Sequence, residues 1–403
     1  MVGAQITKNS RGSERRVSVK ASEFQPGTAA GSPKPRYIMI GGFLGAGKTT
    51  AVGRLAAHLT RQGLRVGLIT NDQGRNLVDT TLLRCQGFRT EEIPGGCFCC
   101  RFDALVEAAR KLAQRSRPDV FIAEPVGSCT DLVATVAYPL RRLHGANLTV
   151  APVSVLVDPV RALRSFGVEP GGTFSDKVLY IYQKQIEEAD LIVISKCDLL
   201  DERRLASLRE AIAATFPRKE ILAVSAREGT NLEAWFERIT REEQRSGRAM
   251  QVDYEVYADG EARLGWSNCT ARLAARKKFN GDLFLLELAV QLRNRLCAAK
   301  AEIAHLKMTL VPDDGGGKVA SINIVRSDVA PEAGARLGVP VTGGQLMINL
   351  RAEAAPEVLG TAVREGLQAA ATPFDTLVVS LHLLDHFRPG KPTPTHRLAE
   401  ISA

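Results

Sequence analysis

The chain has 403 residues, of which 45% are hydrophobic and 24% charged, and a formal net charge of +9. That length exceeds one ordinary core and predicts two domains. Residues 1–36 hold seven basic against two acidic side chains, and no basic run with interleaved aromatics follows, so nucleic acid is not an expected partner.

Residues 1–35 are rich in Ser, Gly, Pro and Ala without periodicity. They read as a disordered basic tail; Glu14 and Glu23 argue against a transit peptide. No apolar stretch is long enough for a signal peptide or a membrane span, so no membrane partner is expected. Eight cysteines do not make a secreted disulfide framework in a chain of this size. The expected location is cytoplasmic, where thiols stay reduced and clustered ones read as metal ligands.

An apolar run over residues 37–40 leads into GGFLGAGKTT, residues 41–50, and a helical pattern follows over 50–61. Gly42, Gly47, Lys48 and Thr49 satisfy the phosphate-binding spacing G-x-x-x-x-G-K-[ST]. The glycines let the backbone turn so that successive N–H groups point at one anion, and the helix start adds its positive end. Gly45, Ala46 and Thr50 complete the expected cradle. Lys48 can reach the β- and γ-phosphates, and the Thr49 hydroxyl can ligate Mg2+.

A buried strand pattern over 65–70 ends in Asn71 and Asp72. Asp72 is placed to approach Mg2+ or its water, with a plain Asx turn as the alternative. The next signal is Cys97-Phe98-Cys99-Cys100 after a Gly pair and before a helical run over 102–114. Thiols beside a helix start favour the thiolate, and thiolates select Zn2+ or Cu(I) over hard cations. Three ligands would leave one tetrahedral position open, which suits a metal to be handed on. A redox pair of Cys97 and Cys100, or packed small residues, are the alternatives.

A strand over 119–123 ends at Glu124, where a carboxylate could hold the Mg2+ water shell or orient the attacking water; an N-cap or turn role is the bland reading. Cys129 reads as a packed small residue, and residues 148–157 as one further strand. After a helix over 178–190 and a strand over 191–194 comes Ser195-Lys196-Cys197-Asp198. This resembles N-K-x-D of GTP-binding proteins: Asp198 can accept from the guanine ring N–H and amino group, and the Lys196 stem can lie along the base. Ser195 stands where Asn is usual, with the loss of one amide contact. Ser225 and Ala226, ending the next strand, resemble the loop that donates backbone N–H to guanine O6.

The first domain is expected over 36–245, with a charged boundary near 240–250, and a smaller α+β domain over 250–388. In it, strands are predicted over 252–258, 263–273, 305–311, 319–326, 345–351 and 376–383, and helices over 283–299 and 356–370. Residues 313–317 read as a loop and 389–403 as a Pro-rich tail. His382 and His386, four apart on a strand, are polar surface residues or a second metal site. The fold class is α/β, a P-loop NTPase domain with a mainly parallel sheet, followed by the smaller α+β domain.

GGFLGAGKTT, the Asn71–Asp72 turn, GGCFCC, the Glu124 strand end, QIEEADLIVISKCDLL and VSA together resemble the CobW-type metal-handling P-loop GTPases, relatives of the urease and hydrogenase nickel-insertion GTPases. The resemblance covers roughly residues 36–245. It implies GTP hydrolysis with GTP and Mg2+, and a transition metal, Zn2+ or Co2+, at Cys97, Cys99 and Cys100. A metallochaperone is the implied function, with a client metalloprotein and a nucleotide-dependent second copy of the chain as expected partners. The alternatives are a nucleotide-switched assembly or reactivation factor for a metalloenzyme or corrinoid enzyme with structural zinc, and an ATP-using P-loop enzyme with a redox cysteine cluster.

Overall fold

The computed structural model describes residues 33–72, 78–313 and 318–401. Most of the expected basic tail, the Asp72 side chain and residues 314–317 of the predicted loop lie outside them.

Eight parallel strands build the first sheet: β1 (Arg36–Gly42), β2 (Val66–Asp72), β3 (Thr90–Pro94), β4 (Val120–Glu124), β5 (Thr149–Val150), β6 (Ser154–Val157), β7 (Leu191–Ile194) and β8 (Glu220–Ala223). Their order is β3-β2-β4-β1-β6-β7-β8, with β5 pairing to β1. Continuous burial along β4, β6 and β7 is what helices on both faces of a parallel sheet require. The helices include α1 (Lys48–Arg61), α2 (Val78–Cys85), α3 (Phe102–Ser116), α4 (Tyr138–His144), α5 (Pro159–Ser165), α6 (Asp176–Glu188), α7 (Glu202–Thr215) and α8 (Leu232–Arg241). In α1, Val52, Leu55, Ala56 and Leu59 recur at helical spacing and are buried.

The single strand expected over 148–157 is broken in two. Pro152 lies between β5 and β6 and cannot donate to a central ladder. The strand expected over 252–258 is instead α9 (Tyr254–Arg263). Asp253 caps it by accepting from Glu255 N and Val256 N, at 2.9 and 3.1 Å. Gly260 lets α9 lie directly on α6, where a Cβ would fall 2.4 Å from Lys177 O. Cap and tertiary contact outweigh the β-leaning composition.

After the short β9 (Gly247–Arg248), the second sheet is antiparallel: β10 (Leu264–Phe279), β11 (Glu302–Pro312), β12 (Ala320–Ile324), β13 (Glu332–Ala333), β14 (Val341–Glu353) and β15 (Leu377–Phe387). Its order is β13-β12-β11-β14-β10-β15. Along β11, Leu306, Met308 and Leu310 join the core beneath α10 (Gly281–Ala298) and α11 (Pro356–Ala371). His305, Lys307 and Thr309 alternate with them and point the other way. That polar face meets the first sheet: Asn349 Oδ1 accepts from Val78 N at 3.0 Å, and Arg161 Nη2 donates to Ala304 O at 3.3 Å. The last strand, β16 (Glu400–Ile401), pairs with β9 and brings the chain end back to the first domain.

The ladder of β15 on β10 skips His382, and His386 packs over Gly360, where a Cβ would lie 2.8 Å from its Nδ1. Among the described residues, neither histidine belongs to a cluster of three or more metal-ligating side chains.

Asp158 ties the two sheets electrostatically. Its carboxylate caps α5, accepts from Lys196 Nζ at 2.8 Å, and faces Arg326 Nη1 of the second domain at 3.4 Å. Burial alone would raise its pKa, but the Lys196 and Arg161 charges outweigh burial and hold it at about 2, below the ordinary 3.8. Its ionised form therefore stabilises the fold above the ordinary value, and this contribution is lost as the pH falls toward 2. Asp158→Asn is expected to reduce the unfolding free energy at pH 7 by roughly 2 kcal/mol in urea titrations. The difference from the parent should shrink between about pH 4 and pH 2 as the native carboxylate protonates.

Candidate functional site

The carboxyl ends of β1, β2 and β4 open into a cavity of about 670 Å3. This is where open α/β sheets place ligands. Among the residues singled out in the sequence, Gly45, Gly47, Lys48, Thr49 and Thr50 line it from the loop after β1. Glu124 lines it from the end of β4, and Lys196, Asp198 and Ala226 from the far side. Gly42 and Ala46 lie behind the wall. Gly42, at φ +130°, lets β1 approach β6, since a Cβ would sit 2.4 Å from Leu156 O. Gly45, at φ +79°, faces the second domain, with Val325 Cβ 3.1 Å from where its own Cβ would be.

Lys48 is buried and folds back along the loop, donating to Gly42 O at 2.8 Å and Phe43 O at 3.2 Å. Burial lowers its pKa to about 8, although Glu124 opposes the shift. Thr49 Oγ1 lies 2.9 Å from both Asp79 Oδ1 and Glu124 Oε1. Glu124 Oε2 is buried without a partner. Burial, reinforced by the Asp79 charge, pushes the Glu124 carboxyl up to about 7. A hydroxyl and two carboxylates, one with an unsatisfied oxygen, are the hard-oxygen donors a Mg2+ ion takes.

Asp79 escaped the sequence reading, which looked to Asp72. It sits in the first turn of α2, and its available signal was an acidic residue at a helix start. Lys307 also escaped: its Nζ reaches Asp79 Oδ1 at 2.6 Å and Thr49 Oγ1 at 3.3 Å from the second domain. Despite burial, the Lys307 charge holds the Asp79 carboxyl below its ordinary range. His305, Asn323 and Val325 line the same cavity. No local pattern marks these residues, because only tertiary docking brings them there.

Ser195 makes different contacts from those expected. Its hydroxyl donates to Ala46 O at 2.7 Å and lies 3.1 Å from Val157 O, so it ties the base-side loop to the phosphate-side loop. Lys196, left-handed at φ 49°, lays its stem past Gly47 and donates to Gly45 O at 2.7 Å. Asp198 is exposed at the cavity rim. Ser225 is a scaffold residue: its N–H donates to Thr230 O at 3.1 Å and its Oγ accepts from Glu228 N at 3.0 Å. Ala226 is the member of that pair that lines the cavity.

The thiols form a second centre. Gly95 and Gly96, at φ 77° and 148°, make the turn after β3, and a tight turn from Cys97 O to Cys100 N at 3.1 Å precedes α3. Cys97 Sγ lies 2.7 Å from Cys99 Sγ and 3.2 Å from Cys100 Sγ, and Cys99 and Cys100 are 3.7 Å apart. Cys129 packs as a buried core residue beside them, near enough to influence Cys97 and Cys99 but outside the three-thiol cluster. Hydrogen bonds from Cys100, Cys129 and Cys99 pull Cys97 well below an ordinary thiol. Cys100, bonded to Cys97, is pushed up to about 11.

Two threads link the centres. Asn71, at the end of β2, donates to Ile93 O at 2.9 Å and Gly96 O at 2.6 Å, clasping the Gly turn. Cys129 follows Glu124 by five residues through Gly127, whose Cα lies so close to the phosphate loop that a Cβ would meet Leu44 N at 3.0 Å. The chain end covers the thiols from outside: Thr393 N donates to Cys100 Sγ at 3.2 Å and Thr395 N to Cys99 O at 2.8 Å.

These features define a P-loop nucleotide-binding domain with a thiol cluster wired to its phosphate end. Residues 36–223, somewhat under half of the chain, match the family described as CobW/HypB/UreG, nucleotide-binding domain, which supports a CobW-type P-loop GTPase domain there. The zinc chaperone CobW of Sinorhizobium sp is 32% identical over 218 residues, covering 47% of this chain and 58% of that one. The zinc chaperone YeiR of Escherichia coli (strain K12) is 30% identical over 169 residues, 40% of this chain and 47% of that one. The zinc-regulated GTPase metalloprotein activator 1 of Dictyostelium discoideum is 27% identical over 224 residues, 48% of this chain and 46% of that one. The matched stretch thus spans about half the length of these relatives.

Ser195→Ala removes the tie between the two loops while leaving Asp198 untouched. Calorimetric titration should find guanine nucleotide bound roughly 5- to 10-fold more weakly, with the preference over adenine unchanged.

Proposed function

We propose that the protein is a GTP-hydrolysing metallochaperone that carries a transition metal, zinc before cobalt, on its thiol loop and passes it to a client metalloprotein. The single observation carrying this reading is the wiring of the Cys97–Cys99–Cys100 cluster to the phosphate end through Asn71 and through the segment from Glu124 to Cys129. The names of the relatives support zinc as the cargo.

In this reading the backbone of Gly45 and Gly47 and the Lys48 ammonium hold the phosphates, and Asp198 with Ala226 selects guanine. Thr49, with Asp79 and Glu124, would hold Mg2+, which when bound spreads the negative charge of the β- and γ-phosphates. Glu124, near neutral in pKa and with a free oxygen, orients the water that attacks the γ-phosphorus. The bond to the bridging oxygen breaks, leaving GDP and phosphate. Loss of the γ-phosphate releases the ends of β2 and β4, and the thiol geometry changes with them.

A second reading, an assembly factor with structural zinc, is favoured by the chain end lying over Cys99 and Cys100. Metal transfer separates the two, because a structural ion stays with the chain during a nucleotide cycle.

The purified protein is expected to bind about one zinc per chain, and the Cys97→Ala/Cys99→Ala/Cys100→Ala variant none, by equilibrium dialysis with metal analysis. GTP hydrolysis by the parent should respond to zinc. A triple variant that keeps its metal, with a zinc-indifferent parent GTPase, would overturn the chaperone reading.

A further inference from the structure

Lys307 is a charged side chain that the second domain places on the phosphate end of the cavity. β11 lies between β12 and β14, with Lys307 opposite Asn323 on one side and Asn349 on the other. The backbone under Lys307 is therefore held by two ladders and cannot move without its sheet. Asn349 clasps Val78 N at 3.0 Å, and Lys307 clasps the next residue, Asp79, at 2.6 Å. The start of α2 is thus gripped twice by the second sheet. Lys307 Nζ also lies 3.3 Å from the Thr49 hydroxyl, the group that follows the P-loop lysine.

We propose that Lys307 is a phosphate-sensing cation supplied within the same chain: it contacts the terminal phosphate of a bound nucleoside triphosphate and couples that phosphate to the position of the second domain. This rests on the nucleotide reading above. An ammonium carries three donors, so Lys307 can keep Asp79 with one and turn the one now toward Thr49 to a γ-phosphate oxygen. A diphosphate offers no oxygen there, and Lys307 keeps its contacts with Asp79 and Thr49. The same charge counters what develops on the γ-phosphate during transfer, the task an arginine finger performs from a partner in other P-loop enzymes. Because the lysine stands on a sheet rather than on a loop, the presence of the phosphate becomes a force on the whole second domain.

The test is the affinity of a fluorescent, non-hydrolysable GTP analogue and of fluorescent GDP for the full chain, with Mg2+ and with EDTA. Lys307→Ala should weaken the triphosphate analogue by roughly 10- to 100-fold and GDP by less than about 3-fold, in both conditions. Lys307→Arg should recover most of the loss, because it keeps the charge. Equal weakening of both nucleotides would mean that Lys307 only clamps α2, and unchanged binding of the triphosphate would remove the role; either result overturns the proposal. If Lys307→Ala does not fold, Lys307→Arg against Lys307→Gln, with thermal midpoints recorded, gives the same comparison. A parent that binds neither nucleotide would overturn the nucleotide reading itself, and this inference with it.

Discussion

Two carboxylates, Asp79 and Glu124, converge on the one hydroxyl of Thr49 inside the cavity. Like charges so close in a poorly solvated site cannot both ionise without a cation. The protein meets this constraint with Lys307, which holds Asp79 ionised, while Glu124 is pushed toward neutrality. The cation comes from the second domain, so the electrostatics of the phosphate end require the two sheets to be docked. Asp158, facing Lys196 from one domain and Arg326 from the other, repeats the arrangement at the base end.

That dependence gives the rest of the architecture its sense. Asn71 and Glu124 end neighbouring strands, and each begins a path to the thiols, one through the Gly95–Gly96 turn and one through Gly127 to Cys129. Two glycines with positive φ and a third pressed on the phosphate loop keep these paths short. The segment of Thr393 and Thr395 reaches Cys100 and Cys99 and covers the thiols from outside.

The parts of this site that follow from local chemistry were legible in the sequence. GGFLGAGKTT, the thiol trio and the strand-end Glu124 each announce themselves within ten residues, because the backbone geometry they need is local. What escaped depends on contacts across the chain. Cys129 is the small core residue it looks like, and only the loop after Glu124 explains why it packs beside Cys97. Asp79 was overlooked beside the more conspicuous Asp72, and Lys307 sits in an ordinary alternating strand whose polar face only the docked first domain explains. Ser195, read as a lost amide, instead makes the inter-loop bond itself. Residues 252–258 misled through composition, since Asp253 caps a helix that tertiary packing on α6 then retains.

The central claim is that the nucleotide sets the metal affinity of the thiol loop. It is tested most directly by titrating zinc against a chromophoric chelator, with the protein saturated by a non-hydrolysable GTP analogue and Mg2+ and then by GDP and Mg2+. The account predicts zinc held at least about 10-fold more tightly in the triphosphate state, within the usual span of allosteric coupling. Equal zinc affinity in the two states would contradict it.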